Sequence, residues 1–241
     1  MTNGDTSIGG KAAAFPDTQW SLVRRFQSPD DPDYRAGMAA LAQRYWKPAY
    51  AYVRIGMART NEDAKDLTQA FFMWLLEGNA LKTYDAEKGS FRTFLKVLLR
   101  RFAGHEREAR ERLRRGGGHA ILSLDAVDLP VDPKAVDPEQ AFEQAWLNTL
   151  MKHAVDRVRE RFHGEGREIQ FQVFETYDLA PPGERPTYPT TAARLNVKET
   201  DISNHLHAVR SALCVELRRE LAQLTADEAD LQAEWNVLFG S

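Results

Sequence analysis

The sequence predicts an all-α protein in two helical halves, the second containing a helix-turn-helix. Three observations carry this. Apolar residues recur three and four apart in nearly every segment, the period of an amphipathic helix. No stretch keeps the strict alternation of a half-buried strand. A segment rich in proline and aspartate, with Pro130, Pro133 and Pro138, interrupts the helical pattern near the middle.

Residues 1–14 are small, polar and rich in glycine, the composition of a disordered tail. A short helix is expected to start at Asp17 or Thr18 and to carry Trp20, Val23 and Phe26. The next runs from about Tyr34 through Met38, Leu41, Tyr45 and Trp46, and Pro48 either kinks it or opens a continuation. Thr60 can cap a third helix, with Asp63 answering from the third position, and Leu67, Ala70, Phe71, Trp74 and Leu75 form its apolar stripe. Gly78 and Asn79 stop it. Residues 84–90 form a loop, and Ser90 can cap a long helix to Arg115. Its stripe is Phe91, Phe94, Leu95, Leu98, Leu99 and Phe102, with Arg92, Lys96, Arg100 and Arg107 largely off it. Three glycines, Gly116 to Gly118, end that helix.

The second half opens with a helix over 138–162 whose stripe is Phe142, Trp146, Leu150, Ala154, Val158 and Phe162. Gly164 and Gly166 break it. A shorter helix follows from Arg167 to Tyr177, then a proline-rich turn, then two closely spaced helices near 190–195 and 200–220. The expected organisation is a tail (1–14), a first helical domain (15–116), a flexible linker (117–137), a helix-turn-helix domain (138–222) and an acidic extension (223–241). That extension is either autoregulatory or a helix packed on the last domain.

The formal net charge of −3 hides an uneven distribution. Ten basic residues fall between Lys88 and Arg115, at 88, 92, 96, 100, 101, 107, 110, 112, 114 and 115, against Glu106, Glu108 and Glu111. The single cysteine, Cys214, excludes an internal disulfide and sits beside the expected buried stripe, the place of a core residue. No apolar run reaches the roughly 20 residues of a membrane span, and no signal-peptide core appears, so a cytoplasmic protein is expected, with no membrane partner.

Two constellations carry function. In the segment from Tyr188 to His207, Ala192 or Ala193 lets two helices cross closely. Asn196 takes a left-handed turn position, and Val197 plugs the angle between the helices. Ile202, Leu206, Val209 and Leu213 continue the buried stripe, leaving Lys198, Thr200, Asp201, Ser203, Asn204, His205 and His207 exposed, with Arg210 beyond. The spacing fits a helix-turn-helix whose second helix enters the major groove, and equally an αα-hairpin with a solvated polar face. The second constellation is the basic helix from Ser90 to Arg115. Its cations can track a phosphate backbone, and Phe91, Phe94 or Tyr84 can stack on unpaired bases; alternatively the helix is amphipathic with its aromatics in the core. His205 and His207, two apart on a helix, point to different faces and make a poor metal pair. Asp63 and Asp66 have no histidine, phosphate loop or nucleophile nearby to complete a catalytic site. No catalytic residue, metal site or cofactor is expected, and the chain is not expected to be an enzyme.

The stretches DAKDLTQAFF (63–72) and GSFRTFL (89–95), followed by the helix-turn-helix pattern, resemble the extracytoplasmic-function group of bacterial sigma-70-type factors. FPDTQWSLV (15–23) and RRGGG (114–118) resemble one branch of it, and the likeness covers most of 15–222. The resemblance implies a transcription initiation factor with RNA polymerase core and promoter DNA as partners. Glu62, Asp63, Asp66, Leu67, Gln69 and Phe72 match the helix that docks on the clamp of the polymerase beta-prime subunit. Lys88, Gly89, Ser90, Phe91 and Arg92 match the loop that pockets a flipped base of the minus-ten element. Phe94, Lys96, Arg100, Arg101 and His105 match the helix that reads and melts it, and the helix-turn-helix matches the reader of the minus-thirty-five element. The chain departs from the family pattern in having Phe94 where many members carry Trp, Arg101 for a common Asn, and His205 and His207 in a recognition helix poor in arginine; Lys65 interrupts the acidic docking face. The resemblance leaves open an anti-sigma protein or a regulatory kinase as a further partner; phosphorylation of Thr60 would add charge at a helix N-terminus. The rival expectations are a helix-turn-helix regulator acting without polymerase and a helical adaptor with no DNA role.

Overall fold

The computed structural model describes residues 34–58, 60–77, 80–115, 137–225 and 227–240. The tail, the helix expected near 17–26, the FPDTQWSLV stretch, the stop at Gly78 and Asn79, the glycine run and nearly all of the expected linker lie outside the described residues.

All regular structure among the described residues is helical: α1 (Tyr34–Gly56), α2 (Asn61–Glu77), α3 (Phe91–Arg115), α4 (Pro138–Gly164), α5 (Glu168–Tyr177), α6 (Tyr188–Leu195), α7 (Glu199–Ala222) and α8 (Glu228–Phe239), with 3-10 turns at Ala80–Thr83 and Ala86–Lys88. None of these helices is long and apolar enough to cross a membrane.

Pro48 neither ends α1 nor starts a new helix. It lies buried inside one continuous α1, where its ring leaves the Arg44 carbonyl without an i+4 donor. The capping chemistry predicted for α2 and α3 is present. The Asp63 N–H donates to Thr60 Oγ1 at 3.1 Å, and the Thr93 N–H donates to Ser90 Oγ at 3.3 Å. Gly89, just before that second cap, has φ of 131°, which a side chain would strain. α4 begins at Pro138, whose missing N–H costs nothing in the first turn, and the Asp137 side chain accepts from the Glu139 N–H.

The helices share an apolar core across the chain midpoint. α1 makes its most extensive contact with α4. At their crossing Tyr45 stacks on Phe142 with ring centroids 6.3 Å apart, and Phe91 of α3 meets the edge of Tyr45 at 5.8 Å. Tyr45, Phe91 and Phe142 are all fully buried. The six α4 residues expected to face inward are all buried. In the second half α5, α6 and α7 enclose Phe171, Val173, Phe174, Ile202, Leu206 and Val209, and α8 lies along α7 through Leu231. Cys214, expected in the core, is exposed. The buried α7 residues Leu206, Val209 and Leu213 place the next inward position at 216–217, and residue 214 is rotated off that stripe.

Burial pushes the Tyr45 phenol far above its ordinary value, so it stays neutral in the folded chain, whereas in the unfolded chain it ionises near ~10. Stability carried by the neutral phenol is therefore complete below about 10 and is lost as pH rises through the folded-state value. The urea midpoint is expected to fall between pH 8 and pH 11, and Tyr45→Phe should reduce that fall. An identical decline in both proteins would contradict this origin.

Candidate nucleic-acid interface

Three surfaces contain the residues singled out from the sequence. On α2, Glu62, Asp66 and Gln69 are exposed, whereas Asp63 is half-buried at the capped N-terminus. Leu67 and Phe72 are buried and support this face from beneath. Lys65 is paired with Glu62 at 3.1 Å, an exposed pair that adds no net charge and leaves Asp66 and Glu77, among the described residues, as the unbalanced acids of this face. Beyond the predicted residues, Met73, Leu76 and Trp46 are exposed, and Trp46 stacks on Phe72 with centroids 5.6 Å apart. Asp66, Gln69, Met73, Trp74 and Glu77 of α2 line a groove with Phe102 and Glu106 of α3. Acidic groups beside accessible apolar side chains suit a protein partner with basic and apolar residues. Helical spacing marks Met73 and Leu76 as surface positions but cannot show that they lie beside the acids.

The basic helix α3 has one face on the core and another under charged neighbours. Arg92 donates through Nη1 to Glu143 Oε2 at 2.5 Å and through Nη2 to Glu234 Oε2 at 2.9 Å, and its guanidinium lies 4.5 Å over the Trp146 ring. Lys96 Nζ reaches Glu143 Oε1 at 2.5 Å. Arg100 pairs with Glu139, which holds its guanidinium pKa above the ordinary value chiefly through that hydrogen bond. Arg92, Lys96 and Arg100 follow one another four residues apart on α3, and Glu143 and Glu139 do so in reverse order on α4. The result is an antiparallel charge ladder, with Glu234 of α8 added at its buried end. The side chains of Arg92 and Glu234 are 10% and 9% exposed, whereas that of Arg100 is 62% exposed, so the Arg92 end is the energetically consequential one.

This arrangement corrects several expectations. Arg92 and Lys96 lie off the apolar stripe as predicted, yet Arg92 is buried and Lys96 only partly exposed, because acid side chains of α4 and α8 lie against that side of α3. Phe91 and Tyr84 are not open to stack on bases; their rings meet edge to face at 5.2 Å inside the core. Phe94 keeps part of its surface accessible and tilts against Tyr84 at 5.3 Å. Arg101 and His105 are exposed, as are Lys88 and Gly89, and Ser90 is half-buried at its cap. Lys88 pairs with Asp85 at 2.9 Å, a hydrogen bond that holds the Asp85 carboxyl below its ordinary range. Glu139, Glu143 and Glu234 were not singled out in sequence. They lie 39 to 142 positions from their partners, and only the fold brings them near.

The third surface is the α6–α7 pair. Asn196 adopts φ 52° and ψ 47°, the left-handed conformation its turn requires, and is the only non-glycine residue with positive φ among the described residues. The Val197 N–H donates to the Ala192 carbonyl at 3.1 Å, and Ala192 rather than Ala193 is the buried small residue. Lys198, Thr200, Ser203, Asn204 and His207 are exposed, while Asp201 and His205 are half-buried. Arg210 is already engaged: Nε and Nη2 each lie 2.8 Å from the Asp178 carboxylate, a fork-to-fork pair that raises the Arg210 pKa. Its role is to tie α7 to the end of α5, so it is not a free phosphate ligand at the edge of that face.

Among the described residues no group of three His, Cys, Asp or Glu side chains is gathered to hold a metal ion. No protein-family model, curated protein or solved structure matches the chain.

Removing one partner of a buried pair strands the other charge. Arg92→Ala, which leaves Glu234 and Glu143 facing each other, is expected to lower unfolding stability by about 3 kcal/mol in urea titrations. A loss below about 0.5 kcal/mol, the range of ordinary surface changes, would show that the ladder's buried end is energetically idle. At the turn, Asn196→Gly is expected to be nearly neutral and Asn196→Val to destabilise by at least ~1 kcal/mol, read by the same titration.

Proposed function

We propose that this chain is a sigma factor of the extracytoplasmic-function type: it binds core RNA polymerase and directs promoter recognition and melting for transcription initiation. The observation that carries the reading is the juxtaposition of two chemically opposite helices in one half of the chain. The accessible face of α2 is acidic and apolar, fit for a protein partner. α3 beside it is cationic and holds its charges in pairs a polyanion can replace. The α6–α7 pair, with its left-handed Asn196 turn and exposed Lys198, Ser203 and Asn204, adds a surface suited to phosphates and base edges.

In this mechanism α2 docks on the clamp through Glu62, Asp66, Gln69, Met73 and Leu76. The α6–α7 pair reads duplex DNA upstream. Opened strands then lie along α3. Extruding a base costs a few kcal/mol, which phosphate contacts to Lys96, Arg100 and Arg101 and a π-face from Phe94 offset. Arg92 and Lys96 are covered in the conformation described, so the mechanism requires α4 and α8 to leave α3 before DNA is held there. Tethering of two weak DNA-binding elements on one chain raises the effective concentration of the second once the first is bound.

The deciding experiment is co-purification with core enzyme followed by run-off transcription and sequencing of the products. Discrete transcripts dependent on the chain are expected. Binding to duplex DNA without stimulation of core enzyme would replace this reading with a helix-turn-helix regulator, and failure to bind either would leave a helical adaptor. Two variants separate the roles. Arg100→Ala combined with Arg101→Ala should reduce open-complex formation about tenfold while core binding changes little, and Asp66→Lys combined with Met73→Asp should weaken core binding about tenfold, roughly 1.4 kcal/mol. Equal loss of both activities in either variant would mean that the helices have been misassigned.

A further inference from the structure

The covered face of α3 has a feature that packing alone does not require. Its cations are matched almost one for one by carboxylates from elements distant in sequence: Glu139 and Glu143 from α4, Glu234 from α8. A helix held by apolar contacts would not need Arg92 buried between two acids. Placing a cation there is costly unless its partners remain, so the site is stable in two situations only, with the acids in place or with another anion in their stead. Two of the acids, Glu139 and Glu143, stand at the same four-residue period as the cations, and Glu234 adds a third negative charge at the Arg92 end, so the cations face a row of anionic oxygens of the kind a phosphate backbone also presents.

α8 is built to hold that position. Asp227 caps it by accepting from the Asp230 N–H. It is anchored to α7 through buried Leu231, through Arg218 4.9 Å over the Trp235 ring and through Arg218 donating to Gln232 at 2.7 Å. Glu234, one turn on from Leu231 and buried with it, reaches Arg92 from the edge of that anchored side. A second tie between the halves runs from Arg44 of α1 to Glu220 of α7 at 2.9 Å, and Arg157 reaches Glu220 at 3.3 Å.

We propose that α8 and the first turns of α4 form an autoinhibitory strap, in which Glu234, Glu143 and Glu139 stand in for nucleic-acid phosphates on Arg92, Lys96 and Arg100 and keep α3 closed until a polyanion or a partner displaces them. The proposal rests on the reading of α3 as a nucleic-acid-binding helix. It goes beyond that reading by assigning a regulatory role to the acidic C-terminal helix, and it identifies the competing ligand as the chain's own carboxylates.

The test uses the full chain with Glu143→Gln and Glu234→Gln together. Glutamine preserves the shape and a hydrogen bond to Arg92 while removing the charge. Binding of a fluorescein-labelled single-stranded oligonucleotide of mixed sequence is measured by anisotropy over a range of salt. A control chain with Glu160→Gln and Glu184→Gln carries the same change in net charge on exposed positions away from the ladder. Closure is read separately, as the distance between spin labels on Cys214 and on Lys82→Cys, both exposed. The ladder variant is expected to bind about tenfold more tightly than the control, with a steeper salt dependence and a longer or broader label separation. Affinity equal to the control with unchanged separation overturns the strap and leaves the sigma-factor reading to its own transcription test. Affinity equal to the control despite increased separation overturns the reading of α3 as a nucleic-acid ligand, and the strap with it. A gain over the control with unchanged separation overturns closure by α8 and assigns the acids to local screening. If the double variant does not fold, Glu234→Gln alone is measured in the same way, with a smaller gain expected.

Discussion

Arg92 is the residue on which the two sides of the molecule converge. Its guanidinium is gripped by Glu143 and Glu234 and lies over the Trp146 ring. Three helices from three regions of the chain meet at one cation. The Coulomb attraction is strong there because little water reaches it, and for the same reason none of the three partners can leave alone without stranding a charge. The arrangement behaves as a unit: all in place, or replaced together. Around it, Tyr45, Phe91 and Phe142 supply the non-directional cohesion that brings α1, α3 and α4 within reach.

The helices themselves were legible in the sequence because each carries its own periodicity and its own punctuation. Thr60 and Ser90 cap where their side-chain oxygens predict, and Asn196 takes the left-handed turn because its neighbours on either side demand two helices at close quarters. The six inward residues of α4 follow from spacing alone. Pro48 was the local exception. The spacing left a kink or a restart open, and the helix runs on through Pro48 without a restart, its buried face held against α4.

Less of the candidate site was legible. Periodicity identifies which side of α3 is apolar, but it treats everything else as solvent-facing, and that assumption fails when a helix has two packed neighbours. Arg92 and Lys96 are polar by type and covered by position. Arg210 has the chemistry of a phosphate ligand, yet Asp178, 32 residues earlier, claims it first. Cys214 lies next to a buried leucine and is still exposed, since adjacent positions on a helix point about 100° apart. For Arg92, Lys96 and Arg210 the missing information was a long-range partner, which one sequence read residue by residue does not contain.

The reversed, four-residue repeat of the ladder has a geometric corollary. Sliding α3 past α4 by a single turn, about 5.4 Å, would bring Lys96 to Glu139 in one direction or Arg100 to Glu143 in the other, so evenly spaced charges alone define no unique alignment. What prevents the slip is irregular: one indole beneath one guanidinium, and one phenol ring against one phenyl. Aromatic shape sets the alignment and ionic attraction sets its strength, so a ligand that competes only for charge can loosen this joint without erasing the template on which it re-forms.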